Sequence, residues 1–252
     1  MNCSICIATY NGEKFVKEQI VSILKQISDN DEIIITDDCS TDQTINIIKE
    51  FKDPRINIFV NDKKLGHQFN FEQSLLRCSK EIIFFCDQDD IWCDFKYRLV
   101  MREFSENKDL ILVHHRFSTF TDKIIYSNNE YKKDAILIKS KMSKFYFIIK
   151  QLYSCEIWGC ATAFRNSLKN SLIPFPVQVY SHDHWLALTA PLYGSILLMS
   201  DILLYRRLHN YNLTPPRRRN IFLILISRFV LMYLLLINVN RYLKRYIINT
   251  SK

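Results

Sequence analysis

Three carboxylates within four residues are the part of this chain best suited to chemistry. Asp87, Asp89 and Asp90 follow residues 82–86, an apolar run that predicts a buried strand. Open α/β sheets bind ligands beyond the carboxyl ends of their strands, and acids crowded there repel each other unless a cation lies among them. Because Mg²⁺ and Mn²⁺ prefer carboxylate and phosphate oxygens, the pattern predicts a site for a divalent metal and a diphosphate. A solvated acidic turn is the alternative.

The elements that would position these acids alternate between strand and helix in the N-terminal part of the chain. Apolar runs predict strands at 4–9, 32–36, 55–60 and 82–86, and helical spacing predicts helices at 13–26, 40–51 and 68–78. A capping-box pattern from Ser40 to Gln43 is expected to start the second helix. This order predicts an α/β fold with a mainly parallel central sheet and helices on both faces.

The second half of the sequence is less regular. Strands are expected at 110–117, 158–164 and 195–205 and a helix at 184–192, while residues 120–150 are mixed and polar. No internal repeat or low-complexity linker interrupts this part. We therefore expect one domain over residues 1–212, followed by a distinct tail over residues 213–252.

The composition is that of a folded domain without a glycine-rich phosphate loop. The 252 residues are 48% hydrophobic, which argues against disorder. Four glycines are too few and too scattered to build a G-x-G-x-x-G motif or a P-loop. Eight cysteines and the lack of a secretion-type N-terminus lead us to expect free thiols in a reducing compartment.

The basic charge is concentrated in an apolar tail. The residues after Asp201 hold ten Lys or Arg and no acid, whereas residues 1–201 hold 24 basic and 26 acidic side chains. Residues 221–239 contain a single charge, Arg228. A spanning helix needs about 20 apolar residues, and a central arginine costs about 2.5–3.5 kcal/mol in lipid. An interfacial membrane helix is favoured, with a single span or a buried packing helix as the alternatives.

Three motifs in a fixed order resemble a known family. They are I-A-T-Y-N-G at residues 7–12, T-D-D-C-S-T-D-Q-T at 36–44 and D-Q-D-D-I-W at 87–92. Together they resemble the family 2 inverting glycosyltransferases of the GT-A fold, and among these the bacterial enzymes that build O-antigen or capsule, including rhamnosyl- and galactosyltransferases. The resemblance covers roughly residues 3–212 and implies a nucleotide-binding half at 1–105 and an acceptor half at 106–212.

The resemblance implies roles for residues at the sheet edge. The residues expected to bind the nucleotide-sugar donor are Thr9, Tyr10, Asn11, Asp37, Asp38, Gly66, Asn70, Asp87 and Arg206. The expected metal ligands are Asp87, Asp89 and His209, the last within a Y-R-x-H-x-x-N-like ending that has one extra residue before the histidine. For Asp38 the alternative is a turn before the Ser40 cap.

The resemblance also implies a base and an acceptor cleft. Asp183, in the S-H-D-H-W segment, is expected to deprotonate the acceptor hydroxyl as it attacks the anomeric carbon. An N-cap aspartate or a zinc cluster are the alternatives, and adjacent ligands without partners make zinc a poor fit. Trp158, Gly159 and Trp185 are expected to line the acceptor side.

The expected activity is inverting, Mg²⁺- or Mn²⁺-dependent transfer of a sugar from a dTDP- or UDP-sugar to a lipid-linked glycan. The expected location is cytoplasmic, peripheral to the inner face of the cell membrane, with a single C-terminal span as the alternative. Three rivals stay open: a non-catalytic nucleotide- or sugar-binding protein, a nucleotidyltransferase, and a nucleic-acid-binding protein. The last ranks lowest because the basic charge is confined to an apolar tail.

Overall fold

The computed structural model describes residues 1–121, 135–154, 156–179, 181–209 and 221–250. Within these ranges nine strands form one sheet: β1 (Cys3–Thr9), β2 (Glu32–Asp37), β3 (Ile56–Val60), β4 (Ile82–Cys86), β5 (Ile91–Trp92), β6 (Leu110–Phe120), β7 (Ala135–Ile138), β8 (Thr162–Arg165) and β9 (Ser195–Arg207). The α-helices of the same ranges are α1 (Val16–Leu24), α2 (Thr44–Lys49), α3 (His67–Arg77), α4 (Lys96–Glu106), α5 (Lys141–Tyr153), α6 (Lys169–Leu172), α7 (His182–Thr189) and α8 (Ile221–Thr250).

The sheet combines a parallel half with a mixed half. Its strand order is β3-β2-β1-β4-β8-β6-β9-β5, and β7 pairs with β9 outside this path. The strands β3, β2, β1 and β4 run parallel to one another, whereas β8 is antiparallel to both β4 and β6. The carboxyl ends of β1, β2 and β4 therefore meet at one edge, where Thr9, Asp37 and Asp87 lie.

The core lies on both faces of this sheet. Every residue of β1 and β4 is buried, as parallel strands covered on both sides require. Because successive strand side chains point to opposite faces, Cys3 packs in the cluster that holds α1, α2 and α4, while Cys6 packs in the cluster that holds α3, α5 and α7. The predicted α/β fold, with a largely parallel sheet and helices on both faces, is confirmed.

The first two helices begin later than the sequence predicts. Helix α1 starts at Val16 because the Gly12 carbonyl accepts bonds from the Phe15 and Val16 amides and closes a turn before the helix. Helix α2 starts at Thr44, and the expected capping box is wrong. The Ser40 hydroxyl instead donates to Asp37 Oδ2 at 2.6 Å, so it organises the strand end and caps no helix.

The second half contains more regular structure than its polarity indicates. Strand β6 extends to Phe120, and both β7 and α5 fall within the region that looks irregular in sequence. The strand expected at 158–164 begins only at Thr162, because Gly159–Ala161 form a 3₁₀ turn. The segments at 210–220, including Arg217 to Arg219, lie outside the described residues.

Helix α8 packs one of its faces against the domain. Leu231 and Leu234 are buried in the same cluster as α5, α6 and α7. The Thr189 hydroxyl on α7 donates to the Asn238 amide oxygen at 2.9 Å. Within the described residues, Ile226–Lys244 is the one helical segment long and apolar enough to cross a membrane, by length and composition alone.

Candidate active site

The acids after β4 form a group at the carboxyl edge of the sheet, in which Asp90 is buried and Asp87 and Asp89 are partly buried. Burial, together with the neighbouring charge of Asp89, raises the pKa of Asp87 to about 7. Burial and the charges of Asp89 and Asp87 raise the pKa of Asp90 well above its ordinary value. Asp90 Oδ1 accepts a backbone bond from Arg207 at 3.1 Å, while its Oδ2 has no hydrogen-bond partner among the described residues. The structure thus holds acids at this edge whose charged forms are disfavoured by burial and by one another.

A histidine from the far end of the chain reaches the same acids. His209 Nε2 lies 2.7 Å from Asp89 Oδ2. The His209 ring stacks on Phe15 with 4.5 Å between ring centroids, which holds the segment after β9 over the acid loop. Asp89 and His209 are both among the expected metal ligands, and the structure brings their side chains into contact across 120 residues.

The donor set fits a hard divalent cation. Ligand atoms of Asp87, Asp90 and Cys160 lie within 4.8 Å of one another. Burial raises the pKa of the Cys160 thiol well above its ordinary value, so it stays protonated and is a poor ligand. Carboxylates that repel one another, with an unpartnered buried oxygen and a histidine nitrogen beside them, match the chemistry of a Mg²⁺ or Mn²⁺ site.

The two arginines that end β9 have different surroundings. The Arg206 guanidinium lies over the Trp158 ring, 4.8 Å from its centroid, and its charge acts on Asp87. Arg207 turns the other way: its Nε donates to the Asp89 carbonyl at 3.1 Å, and its guanidinium pairs with Glu18. The Arg207 side chain therefore fixes the backbone of the acid loop, a role that the sequence did not predict.

The expected donor-binding loop after β1 is tied to the acid loop. Gln88 Oε1 accepts from the Tyr10 amide at 2.9 Å, and Gln88 Nε2 donates to the Tyr10 carbonyl at 3.1 Å. The Tyr10 ring is exposed and carries Lys64 Nζ over its face at 3.7 Å. Asn11 adopts a φ of 47°, and its amide donates to the Ser40 hydroxyl. Tyr10 and Asn11 thus present an exposed surface at the sheet edge.

The acids that end β2 organise the surrounding loops. Asp37 is fully buried and accepts hydroxyl bonds from Thr9 at 2.7 Å and Ser40 at 2.6 Å. Asp38 accepts the amides of Leu65 at 2.7 Å and Gly66 at 2.8 Å. Both carboxylates fix the loops that would surround a donor. None of the buried Thr9, Asp37 and Asp38 is open to direct contact from its present position.

Gly66 and Asn70 have structural roles at the same edge. Gly66 adopts a φ of 86°, a region that favours glycine, where the chain turns into α3. Asn70 is buried, and its amide donates to the Thr9 carbonyl at 3.1 Å and the Thr36 carbonyl at 2.9 Å. The Asn70 side chain joins the ends of β1 and β2, so its position does not indicate direct contact with a donor.

Asp183 lies at the start of α7, close to a buried histidine. Its carboxylate Oδ1 is 2.8 Å from His182 Nε2, and the Asp183 side chain retains 20% of its exposure. Burial alone would raise the pKa of Asp183, but the His182 charge and hydrogen bond and the Gly159 backbone N–H together lower it. Ser181 caps this helix through the Asp183 amide at 3.2 Å, so Asp183 itself is free of the capping role and remains ionised.

His182 is clamped by aromatic rings. Its ring stacks on Phe71 at 4.1 Å between centroids and meets Phe85 edge-on at 5.0 Å. His67 lies 5.3 Å away, and burial together with the His182 charge lowers the pKa of His67 to about 4. The sequence motif marked His182 only as a neighbour of Asp183, since the clamp is assembled from α3 and β4.

The residues expected on the acceptor side separate into two groups. Trp158 is partly exposed, meets Phe117 edge-on at 5.5 Å and lies under Arg206. Gly159 is buried against Asp183, where an added Cβ would lie 2.4 Å from Asp183 Oδ1. Trp185 is fully buried and donates its indole N–H to the Leu172 carbonyl at 2.8 Å. The acceptor role expected for Trp185 is therefore corrected: it packs α7 in the core.

A buried lysine supports the segment that carries Trp158 and Gly159. Lys96 has no exposed surface, and its Nζ donates to the Cys160 carbonyl at 2.8 Å while lying 4.3 Å from the Trp92 ring centroid. Burial lowers the pKa of Lys96. This contact fixes the 3₁₀ turn that contains Cys160.

Comparison with known proteins agrees with this geometry. The Glycosyl transferase family 2 model matches residues 4–172. The chain is 28% identical over 187 residues to the UDP-Glc:alpha-D-GlcNAc-diphosphoundecaprenol beta-1,3-glucosyltransferase WfgD of Escherichia coli, covering 74% of this chain and 68% of that protein. It is 40% identical over 96 residues to the dTDP-rhamnosyl transferase RfbG of Shigella flexneri, covering 34% of this chain and 32% of RfbG.

Solved structures share the fold. TarS 1–349 of S. aureus in complex with UDP-GlcNAc superposes with a TM-score of 0.69 at 18% identity, covering 97% of this chain and 73% of that one. The mannosyltransferase PcManGT from Pyrobaculum calidifontis, in complex with GDP-Man and Mn2+, gives a TM-score of 0.61 at 16% identity, covering 84% and 58%. The relatives include glycosyltransferases of bacterial surface polysaccharide biosynthesis. Because the family model spans well over half of the sequence, the chain belongs to Glycosyl transferase family 2.

Proposed function

We propose that this protein is an inverting, metal-dependent glycosyltransferase that moves a sugar from a dTDP- or UDP-sugar to a hydroxyl of a lipid-linked glycan. One observation carries the proposal: the charges that act on Asp87 come from Asp89, His182, Asp183 and Arg206. Residues from both halves of the sequence therefore share one small site. A single displacement needs an acid that binds a metal, a cationic side chain that stabilises the diphosphate, and a separate carboxylate that acts as the base.

The chain's own residues divide the chemistry between them. Asp183, kept ionised by His182, takes the proton of the acceptor hydroxyl as its oxygen bonds to the anomeric carbon. The bond from that carbon to the diphosphate oxygen breaks on the opposite side, which inverts the centre. Arg206 stabilises the charge that develops on the departing diphosphate.

Asp87, Asp89 and His209 are the residues proposed to hold a divalent cation, with Asp90 beside them. A bound Mg²⁺ or Mn²⁺ supplies Lewis-acid stabilisation of the leaving group. The raised pKa of Asp87 supports this assignment, because a nearby cation would restore the ionised form that burial and Asp89 disfavour.

The choice of donor and acceptor follows the relatives. UDP is the nucleotide in the TarS complex, dTDP-rhamnose is named for RfbG, and a diphosphoundecaprenol-linked acceptor is named for WfgD. Tyr10 and Asn11 offer the exposed surface for the base, within loops shaped by Asp37 and Asp38. Trp158 and Gly159 are proposed to line the acceptor side. We propose no nucleic-acid partner for this protein.

The proposed organisation keeps a GT-A domain at residues 1–212, with a nucleotide-binding half at 1–105 and an acceptor half at 106–212. Residues 213–252 form the proposed membrane-associating tail, which would place the enzyme at the cytoplasmic face of the cell membrane. The apolar stretch Ile226–Lys244 supports the tail assignment.

The test begins with a thermal-stability screen of the purified protein against UDP-, dTDP- and GDP-sugars, in Mn²⁺ and in chelator. A cognate donor raises the melting temperature by mass action. With the donor known, Asp183→Asn should abolish transfer and leave donor binding intact, while Asp94→Asn, at an exposed acid nearby, should change neither. Full transfer by Asp183→Asn would remove the base, and equal donor binding in chelator would remove the metal.

A further inference from the structure

Helix α5 carries an apolar stripe on the side that faces away from the core. Met142, Phe145, Tyr146 and Tyr153 are 57–74% exposed, and Ile149 lies between them at helical spacing. The opposite side of α5 is buried through Phe147 and Gln151. A helix that is apolar on both sides is normally covered on both sides, so this outward stripe indicates a contact beyond the domain.

Helix α8 has the same construction. Its inward face is buried, and its outward face presents Ile226, Phe229, Tyr233, Leu236 and Leu243, each 45–72% exposed. Five large apolar side chains exposed along one helix exceed the isolated exposed residues of an ordinary protein surface.

The two helices are neighbours. The Arg228 guanidinium on α8 donates to the carbonyl of Tyr153, the last residue of α5. Tyr153 and Phe229, which adjoin this bond, are the most exposed large apolar side chains described on their respective helices, at 74% and 72%. The stripes of α5 and α8 therefore belong to one region of the surface.

The charge of this region selects its occupant. Lys141 and Lys150 of α5 and Lys244 of α8 are exposed, and neither helix contains an acid. Two copies of such a surface would repel each other, whereas basic side chains beside exposed aromatic rings match an anionic lipid interface. Of these lysines, Lys150 also pairs with Glu156 at 2.7 Å.

The attachment of α8 to the domain decides how it would meet lipid. Its buried face is fixed by the Thr189–Asn238 bond and by Arg241, which donates to the carbonyls of Leu172 at 3.3 Å and Pro174 at 2.8 Å and lies over the Trp185 ring. A helix held along the domain in this way cannot cross a bilayer without taking the domain with it. It can lie in the plane of the interface with its free face in the lipid.

We propose that α5 and α8 together form one membrane-docking surface that binds anionic lipid, with α8 lying flat and not spanning. This inference rests on the membrane location in the proposed function, but not on the transfer chemistry. Helix α7, which carries Asp183, packs between this surface and the sheet, in contact with both α5 and α8. The proposed base therefore stands one helix layer from the lipid that would anchor the acceptor.

The test is co-flotation of the full-length protein with vesicles of phosphatidylcholine, with and without phosphatidylglycerol. One variant joins Phe145→Ser to Tyr146→Ser on α5, and a second joins Phe229→Ser to Leu236→Ser on α8. The matched control joins Val60→Ser to Leu76→Ser, two comparably exposed apolar residues on β3 and α3. Melting temperatures and metal-dependent donor binding are measured for every variant.

We expect binding to vesicles that contain phosphatidylglycerol, and at least tenfold weaker partitioning by each stripe variant, because each large apolar side chain buried in the lipid contributes roughly a factor of ten. The control should partition like the wild type, and alkaline carbonate should release the bound protein. Normal partitioning by the α5 variant would overturn the joint surface. Retention after carbonate treatment would contradict the proposal that α8 lies flat. If the protein forms a dimer that either stripe variant disrupts, the surface binds a second copy of the chain and not lipid. Donor binding that fails while flotation succeeds would count against the proposed function alone.

Discussion

Replacing Gly159 by alanine should displace Asp183, the proposed base, without unfolding the protein. A Cβ at this position would lie 2.4 Å from both Asp183 Oδ1 and His182 Nε2, whereas ordinary contacts begin at about 3.4 Å. The pair must therefore retreat by about 1 Å. Because His182 is clamped by aromatic rings, the displacement falls mainly on the Asp183 carboxylate. A misplacement of about 1 Å at a reacting group costs on the order of 100-fold in rate, or about 2.7 kcal/mol.

The assay compares kcat for sugar transfer with the affinity for the nucleotide-sugar in saturating Mn²⁺. Gly159→Ala should lower kcat about 100-fold and leave donor affinity within twofold. Gly194→Ala is the matched control, since its Cβ would lie 2.7 Å from Ile111 Cβ and 2.8 Å from the Asp109 carbonyl, away from the site. It should lower the melting temperature and preserve the kcat of the folded protein. A Gly159→Ala enzyme with kcat within threefold of the wild type would refute the reasoning.

Three further expectations follow from the same structure. Asp89→Ala should remove the Mn²⁺-dependent part of donor binding seen by calorimetry, and Asp94→Ala, at an exposed acid, should not; an unchanged metal response in the first would reassign the ligand. His182→Gln should move the acid limb of kcat/KM to higher pH at saturating metal, because His182 lowers the pKa of Asp183 and its loss lets burial raise that pKa; a limb that stays in place would contradict the pairing. Asp31→Asn should destabilise the fold by about 1–3 kcal/mol at pH 7 in urea unfolding. The Asp31 carboxylate accepts the Cys3 amide at 2.6 Å, and despite burial its hydrogen bonds lower its pKa. Its contribution is present above the unfolded pKa of about 3.9 and is lost as pH falls through the lower folded value, so the difference between the two proteins should close below about pH 4.

What the sequence predicted well was set by local pattern. The apolar run before Asp87 coincides with β4, because continuous burial is the signature of a parallel strand covered on both faces. The family motifs also brought Asp89 and His209 to one place from opposite ends of the domain. In each case the signal lies in a few consecutive residues.

What the sequence did not predict depends on contacts between distant segments. Ser40 has the pattern of a helix cap, yet its hydroxyl bonds to Asp37, a partner that exists only once β2 has ended. Gln88 carries no signal of its own, and its two bonds to Tyr10 follow from the neighbouring positions of β1 and β4. The sequence did not predict helix α5 because its lysines make the segment look polar. The sequence suggested an acceptor role for Trp185 because an aromatic residue close to an acid is typical of a sugar-binding site.

The opposed directions of Arg206 and Arg207 also limit how β9 can vary. Neighbouring residues of a strand face opposite sides, so a shift of one position turns every side chain over. Arg207 lies over the Phe15 ring, on the side opposite Trp158. Inserting or deleting a single residue late in β9 would turn each arginine to the other side of the strand, with the total charge unchanged. Substitutions that keep length should therefore be tolerated along this strand far more readily than single-residue insertions or deletions, even when both arginines are retained.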